Sequence, residues 1–384
     1  MRVTDWNLRE TPDAVEVSAD VDGFRLCYRL PKGFRFSRSG DPFLAASFLP
    51  AMLKGEPLEI DPSLPVSPML LENISRLQEI HHSWNPVLKM IPIHASTAPA
   101  ETLNGGAFSF FSGGVDSMFT FLKRLEEISH VVFIHGFDFV VDQETFRTAE
   151  ARNSKFAAGF GKTLIPVETN TYPFSYLHNM SRKLTHGSAL ASVALLLGFS
   201  RAYVPSSYPF SHLLPWGSHP LTDPLYSNEG TRIIQDGAEA RRVDKVIRVA
   251  ECDPALANLT VCFSGMNVNC GRCVKCVRTM IPLAALGAKG APFPSRLTAK
   301  AIKSINWGSE LFMLSDNIEL AAQKENKQLL RTLKARLRKH ERAKLLKEFD
   351  QVFLRGMVLR QYRRFVKLPP WYDRVYPTPP DERR

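Results

Sequence analysis

The sequence predicts an α/β protein. Its core is a parallel sheet covered by helices, with a structural four-cysteine metal site. An α+β region precedes the core and a basic helical region follows it. Three observations carry this. From residue 105 short apolar runs alternate with helical periodicity, the pattern of parallel strands joined by crossover helices. Before residue 104 two alternating stretches flank Asp22-Gly23, a hairpin signal. After residue 291 leucines recur at helical spacing among lysines and arginines. The expected divisions are 1–104, 105–290 and 291–384.

At 384 residues the chain has room for two or three domains, and 44% hydrophobic residues can bury an ordinary core. Residues 1–6 carry no apolar signal-peptide stretch, and the longest apolar helical run, 189–199, is too short to span a bilayer. The expectation is a cytoplasmic protein without a transmembrane segment. Its net charge is +11, and residues 321–370 alone hold 15 Lys/Arg against 4 Asp/Glu. That difference equals the whole excess, so the positive charge belongs to one segment and not to the core.

In the N-terminal region, 15–21 and 24–30 read as the hairpin strands. A helix follows at 42–53. Another is expected at 67–82, with Ser67 as cap and Pro68 in its first turn. A further strand is expected at 88–94. Nothing in this region has catalytic spacing, and packing on the core is its plainest role.

In the core, strands are expected at 108–111, 131–135, 163–167, 202–205 and 259–262. Helices are expected at 115–127, 143–160, 187–197 and 240–251. The first strand, Phe108-Ser109-Phe110-Phe111, runs into Ser112-Gly113-Gly114-Val115-Asp116-Ser117 and then into a helix bearing Met118, Phe119, Leu122 and Leu125 on one face. A strand, a glycine turn and a helix start form an anion cradle, where backbone N–H groups and the helix dipole converge. Ser112 and Ser117 add hydroxyl donors. No Gly-Lys-Ser/Thr follows, so this is not a Walker A loop.

Ligands of such sheets lie beyond the carboxyl ends of the strands. A long loop, 205–227, leaves the fourth strand there. It is rich in Pro, Ser, His and aromatics, and His212, Trp216, His219 and Asp223 are its candidates for acceptor recognition. The alternative is that Trp216 and Tyr226 only pin the loop.

Cys262, Cys270, Cys273 and Cys276 fall within one short window, whereas Cys27 and Cys252 stand apart. Clustered thiolates in a reducing compartment read as metal ligands. Four soft ligands at this spacing suit a closed tetrahedral Zn²⁺ site, which would clamp the end of the fifth strand to a helix starting near Lys275. An iron–sulfur cluster on the Cys-x-x-Cys-x-x-Cys run is the alternative.

The hexapeptide Ser112 to Ser117 resembles the signature of the PP-loop ATP pyrophosphatases. With an upstream Cys, then Cys-Gly-x-Cys-x-x-Cys, then Arg278, residues 105–285 resemble the 7-cyano-7-deazaguanine synthases (QueC-like). The resemblance implies a PP-loop (HUP-like, Rossmann-like) core. It implies an enzyme that splits ATP to AMP and pyrophosphate with Mg²⁺, adenylating a carboxylate or carbonyl oxygen for attack by ammonia or an amine. By that resemblance Ser112, Gly113, Gly114, Val115, Asp116 and Ser117 handle the ATP phosphates and Mg²⁺, with Asp116 and Ser117 catalytic. His135 and Gly136, with backbone groups from Ile134, border the adenine. Asp138 holds the ribose or caps the next segment. His186-Gly187-Ser188, read as a helix opening, is a second nucleotide-facing element or a local cap. Cys262, Cys270, Cys273 and Cys276 hold structural zinc, and Lys275 and Arg278 reach phosphate or substrate carboxylate.

The flanking regions and the 205–227 loop depart from those synthases. The expected acceptor is therefore another small-molecule or carrier-linked carboxylate. In the C-terminal region, Leu329, Leu330, Leu333, Leu337, Leu345, Leu346, Phe349, Val352 and Phe353 mark a packed face, and Lys334, Arg336, Arg338, Lys339, Arg342, Lys344 and Lys347 an opposite basic one. Such a run is usually a solvated helix face, but tRNA or an acidic partner would also suit it. Two competing readings follow: a tRNA-modifying PP-loop enzyme that transfers sulfur or ligates, and a non-catalytic nucleotide-binding assembly protein. The oligomeric state is not legible.

Overall fold

The computed structural model describes residues 1–137, 142–262 and 267–353. These residues fall into two compact units. The first holds Met1–Ala240 with two short returns, at 258–260 and 267; the second holds Arg241–Ala257, residues 261–262 and the chain from 268 onward.

The first unit is α/β. Its strands are β1 (Arg2–Glu10), β2 (Ala14–Val21), β3 (Phe24–Pro31), β4 (Leu58–Ile60), β5 (Ile93–His94), β6 (Asn104–Phe110), β7 (His130–His135), β8 (Thr163–Thr169), β9 (Phe199–Pro205) and β10 (Arg232–Asp236). They form one sheet in the order β10-β9-β6-β7-β8-β3-β2-β1-β4-β5. Pairing is parallel from β10 to β8, antiparallel from β8 through β3 and β2 to β1, and parallel again through β4 to β5. Residues 1–104 thus supply β1–β5 to the same sheet. The β2–β3 hairpin turns at Asp22 and Gly23, both at positive φ (51° and 82°), as an Asp-Gly hairpin turn demands.

Its helices are α1 (Asp41–Lys54), α2 (Pro68–Trp84), α3 (Val115–Lys123), α4 (Gln143–Ala158), α5 (Thr171–Leu177) and α6 (Arg182–Leu197). The Ser67 hydroxyl caps α2 by accepting from Leu70 N–H at 2.9 Å, with Pro68 in the first turn. Strand alternation divides the helices between the two faces. Phe108, Phe110, Val132, Ile165 and Val167 point into one large core with residues of α1, α2 and α6. Phe133 and Leu164 point the other way, onto Phe146 and Ala149 of α4. On that face Phe111, at the end of β6, stacks on Phe156 of α4 and meets Phe121 of α3.

Among the parallel strands the chain runs outward from β6 through β7 to β8. It then returns to the opposite side of β6 for β9 and β10. The direction of winding reverses between β6 and β9, and the loop after β6 opens at that reversal.

The second unit is helical: α7 (Arg242–Ala250), α8 (Asp253–Ala257), α9 (Val274–Leu286), α10 (Ala299–Ser304), α11 (Leu311–Gln323) and α12 (Lys327–Phe353). Val243, Val277, Ile281, Leu314, Leu333 and the buried Trp307 belong to one apolar core. The expected packed face of α12 holds at Leu329 and Leu333. Leu345 and Leu346, by contrast, are 63% and 70% exposed, so the apolar stripe outlasts its packing. No helix among the described residues is long and apolar enough to cross a membrane.

Several expected elements differ. No strand forms at 259–262, because Thr260 N–H donates to Gly113 O and Val261 N–H to Asn269 Oδ1 instead of to a ladder. The fifth parallel strand is β10, which the sequence hid. The expected strand at 88–94 shrinks to Ile93–His94, and the expected helix at 115–127 ends at Lys123. Helix α6 begins five residues before its expected start at 187, capped by Ser181, whose hydroxyl accepts from Lys183 N–H at 3.2 Å. His186, Gly187 and Ser188 therefore lie inside the helix rather than at its opening.

Candidate functional site

The 112–117 loop leaves the carboxyl end of β6 and enters α3. Gly113 turns the chain at φ +76°, a conformation that disfavours side chains. Gly114 is the N-cap of α3 and offers no side chain to cap it, so the first-turn N–H groups keep the anion-attracting character of a helix start. The two hydroxyls expected to face phosphate do converge: Ser112 Oγ and Ser117 Oγ lie 3.3 Å apart. Ser112 N–H donates to Ser117 Oγ at 3.2 Å, and Ser117 Oγ donates to Gly114 O at 3.1 Å. Val115 and Ser117 are buried, and Asp116 is half-buried in the first helical turn. Thr260 N–H anchors the turn by donating to Gly113 O at 2.8 Å.

Two neighbours of this loop escaped the sequence reading, Arg152 and Asn153 of α4. Asn153 is fully buried, and its Oδ1 accepts from Asn258 Nδ2 at 3.2 Å. A Cβ placed on Gly113 would lie 3.2 Å from Asn153 Oδ1 and 3.8 Å from Arg152 Nη2. The bare glycine thus leaves room for the Asn153 amide oxygen, with the guanidinium further off. The signal was in the sequence: Phe146, Ala149, Asn153 and Phe156 form the buried stripe of α4, and an amide in an apolar stripe marks a polar neighbour.

At the end of β7, His135 is buried. Its ring stacks on Phe146 at 4.5 Å and Nδ1 lies 3.7 Å from Glu168 Oε2. Gly136 follows in the turn, and its carbonyl accepts from Tyr172 N–H at 3.3 Å. Asp138 lies outside the described residues. A small, partly open cleft lies beside this turn, lined by Phe137, Thr171, Tyr172, Arg182, Thr185 and His186 among others. Phe137 meets the His186 ring at 4.8 Å. Thr171 is 2% exposed and its hydroxyl has no hydrogen-bond partner among the described residues. His186 therefore lines a cleft, but from the second turn of α6.

Gly187 does different work. Its N–H donates to Gly217 O at 3.0 Å, while Gly217 N–H donates to Lys183 O at 2.7 Å. The 205–227 loop is held down by this contact and by its rings. Trp216 lies between Lys183 (5.5 Å) and Tyr208 (6.0 Å), and buried His219 packs on Trp84 at 5.0 Å. Asp223 is fully buried, accepting from Ser218 Oγ at 2.6 Å and His219 N–H at 3.1 Å; burial pushes its carboxyl up to about 7 against those hydrogen bonds. His212 is exposed in a short 3₁₀ turn. Of the four acceptor candidates, three pin the loop and His212 faces solvent; none lines the cleft described above.

In the second unit the sulfurs of Cys262, Cys270, Cys273 and Cys276 all lie within 4.8 Å of one another. Two Sγ–Sγ distances are 3.9 Å. A tetrahedral ion with bonds of about 2.3 Å needs edges of roughly 3.8 Å, so the set has the size for one ion. It leaves no room for several irons and sulfides between the thiolates. Cys273 caps α9, and the N–H groups of Cys273 and Cys276 donate to the sulfurs of Cys270 and Cys273 at 3.3 and 3.5 Å. Burial would raise the Cys270 thiol, but N–H donors from Arg272 and Cys273 bring it down to about 6; burial and the neighbouring thiols hold Cys276 high. Asn269 braces the site, accepting from Val261 N–H at 2.8 Å and donating to Pro292 O at 3.1 Å. These four cysteines could hold a metal ion such as zinc. Lys275 is half-buried in the first turn of α9. Arg278 is engaged by Glu310 and by the Trp307 ring at 5.6 Å.

No protein family model, curated protein or solved structure matches the chain.

Proposed function

We propose that the chain is an ATP-dependent enzyme of the PP-loop pyrophosphatase type, resembling the 7-cyano-7-deazaguanine synthases, that adenylates a carboxylate for attack by ammonia or an amine. One observation carries the reading. The Ser-Gly-Gly-Val-Asp-Ser loop sits at the carboxyl end of β6, where the winding of the sheet reverses, and opens α3. Open α/β sheets bind ligands at that kind of crevice, and a glycine turn entering a helix favours phosphate. The rest of the reading rests on the hexapeptide itself and on the order of the four cysteines.

In this mechanism Gly113, Gly114 and the first turn of α3 cradle the phosphates, with the Ser112 and Ser117 hydroxyls as further donors. Asp116 carries the charge suited to Mg²⁺, which when bound would offset phosphate charge. An acceptor carboxylate oxygen attacks the α-phosphorus. The α–β bridging bond breaks, its electron pair leaves with pyrophosphate, and an acyl-adenylate forms. The amine nitrogen then attacks the acyl carbon, loses a proton to solvent, and expels AMP. Zinc on the four cysteines is structural, since four thiolates leave no open coordination position.

Incubation with ATP, Mg²⁺, ammonia and pooled carboxylic acids tests this. AMP and pyrophosphate are expected; ADP and phosphate would sink the mechanism. The tRNA-modifying reading has only the basic residues of α12 in its favour and predicts RNA binding that weakens steeply with salt.

A further inference from the structure

Arg152 has no ordinary structural explanation. It is half-buried and forms no ion pair with any described residue. Its guanidinium has five N–H donors, of which Nη1 reaches Asn267 O at 3.2 Å and Nη2 only approaches Asn153 Oδ1, at 3.5 Å. Nε is buried with no partner among the described residues, and so is Nδ2 of the fully buried Asn153 behind it. Burial pulls this guanidinium below its ordinary value, with no carboxylate to oppose it. A cation withdrawn from water without a counter-charge is costly unless an anion arrives to pair with it. The guanidinium lies near the turn at Gly113, its Nη2 3.8 Å from where a Cβ on that glycine would stand.

We propose that Arg152, oriented by Asn153, is a phosphate-binding residue of the 112–117 loop and holds the pyrophosphate portion of a bound nucleoside triphosphate. This rests on the reading of the loop as an ATP site. The planar fork of arginine matches two phosphate oxygens at once, which a lysine point charge does not. As the α–β bridging bond breaks, the departing pyrophosphate gains the electron pair, and Arg152 stabilises that charge. Backbone N–H groups of the loop and the Arg152 side chain then grip one ligand from two elements, α3 and α4.

Calorimetric titration of the full chain with Mg²⁺-pyrophosphate and separately with AMP tests it. Arg152→Gln should weaken pyrophosphate binding by about 10- to 100-fold and leave AMP binding within about 2-fold. Unchanged pyrophosphate affinity with a lowered melting temperature would make Arg152 a structural bolt and overturn the proposal. If that variant fails to fold, Asn153→Asp decides. A carboxylate of the same shape would pair with Arg152 and compete with pyrophosphate, lowering affinity by about 10-fold or more; unchanged affinity again overturns it. A wild-type chain that binds no pyrophosphate also overturns it, even if ATP is turned over to AMP. A wild-type chain that binds pyrophosphate through Arg152 yet makes no AMP from ATP supports the anion site and refutes the enzymatic reading instead.

Discussion

Gly217 places its peptide between Lys183 and Gly187 of α6, its N–H bonded to one and its carbonyl to the other. In an uninterrupted helix those two residues would bond directly, as i and i+4. A Cβ on Gly187 would stand 2.0 Å from Gly217 O, and one on Gly217 would stand 2.3 Å from Leu184 O. Backbone cannot yield at such distances as a flexible side chain can. Gly187→Ala and Gly217→Ala should each destabilise the chain by about 1–3 kcal/mol or more, read by chemical denaturation. Ala at the exposed Gly161, itself at positive φ but with no atom within 4 Å, should cost less.

Asp116 is the next test. Asp116→Ala should reduce AMP formation on the order of 100-fold or more while the melting temperature holds. Metal content should stay near one ion per chain, since the cysteines are untouched. Loss of both activity and fold would make Asp116 a structural residue.

The cysteine site predicts a colourless protein carrying about one zinc per chain by elemental analysis. Cys273→Ala should lose the ion and lower the melting temperature, because a structural ion contributes its binding energy to folding. A brown protein with a broad visible band would mean that iron has the site.

Asp223 predicts a pH dependence. Its folded carboxyl sits near 7, above an ordinary carboxyl near 3.8. The folded state therefore holds a proton that the unfolded chain releases. This contribution is full below about pH 4 and is lost as pH rises to about 7. Asp41, raised to about 6 by burial, acts in the same direction. Asp223→Asn should flatten the fall in melting temperature between pH 4 and 7, and an unchanged slope would place the titration elsewhere.

What the sequence disclosed follows from how local each signal is. The β2–β3 hairpin was legible because Asp22-Gly23 permits one turn, and α2 because Ser67-Pro68 is a complete helix start. The 112–117 loop was legible for the same reason, since strand, turn and helix are contiguous. Strand β10 was not, because it offers only Ile233 and Ile234 between charged and polar residues, and its place is set by pairing with β9. The segment 259–262 imitated a strand because Leu259 and Val261 alternate, yet its N–H groups answer Gly113 and Asn269. Arg152 stayed hidden because nothing near it in the chain shows that the Gly113 turn lies across from it.

The joint between β3 and β8 has a consequence for how this chain comes off the ribosome. Tyr28 and Arg29 pair with Thr169 and Glu168, and Asn170 extends the seam with its side chain, accepting from Cys27 N–H and donating to Arg25 O. The hairpin that carries β3 is complete some 140 residues before that partner is made. At roughly 5–20 residues per second, translation leaves one edge of β3 unpaired for on the order of 10 s. During that interval the nascent chain presents an open strand edge that other chains can occupy. Slowing elongation between codons 31 and 170 should raise the aggregated fraction, whereas slowing it after codon 170 should not.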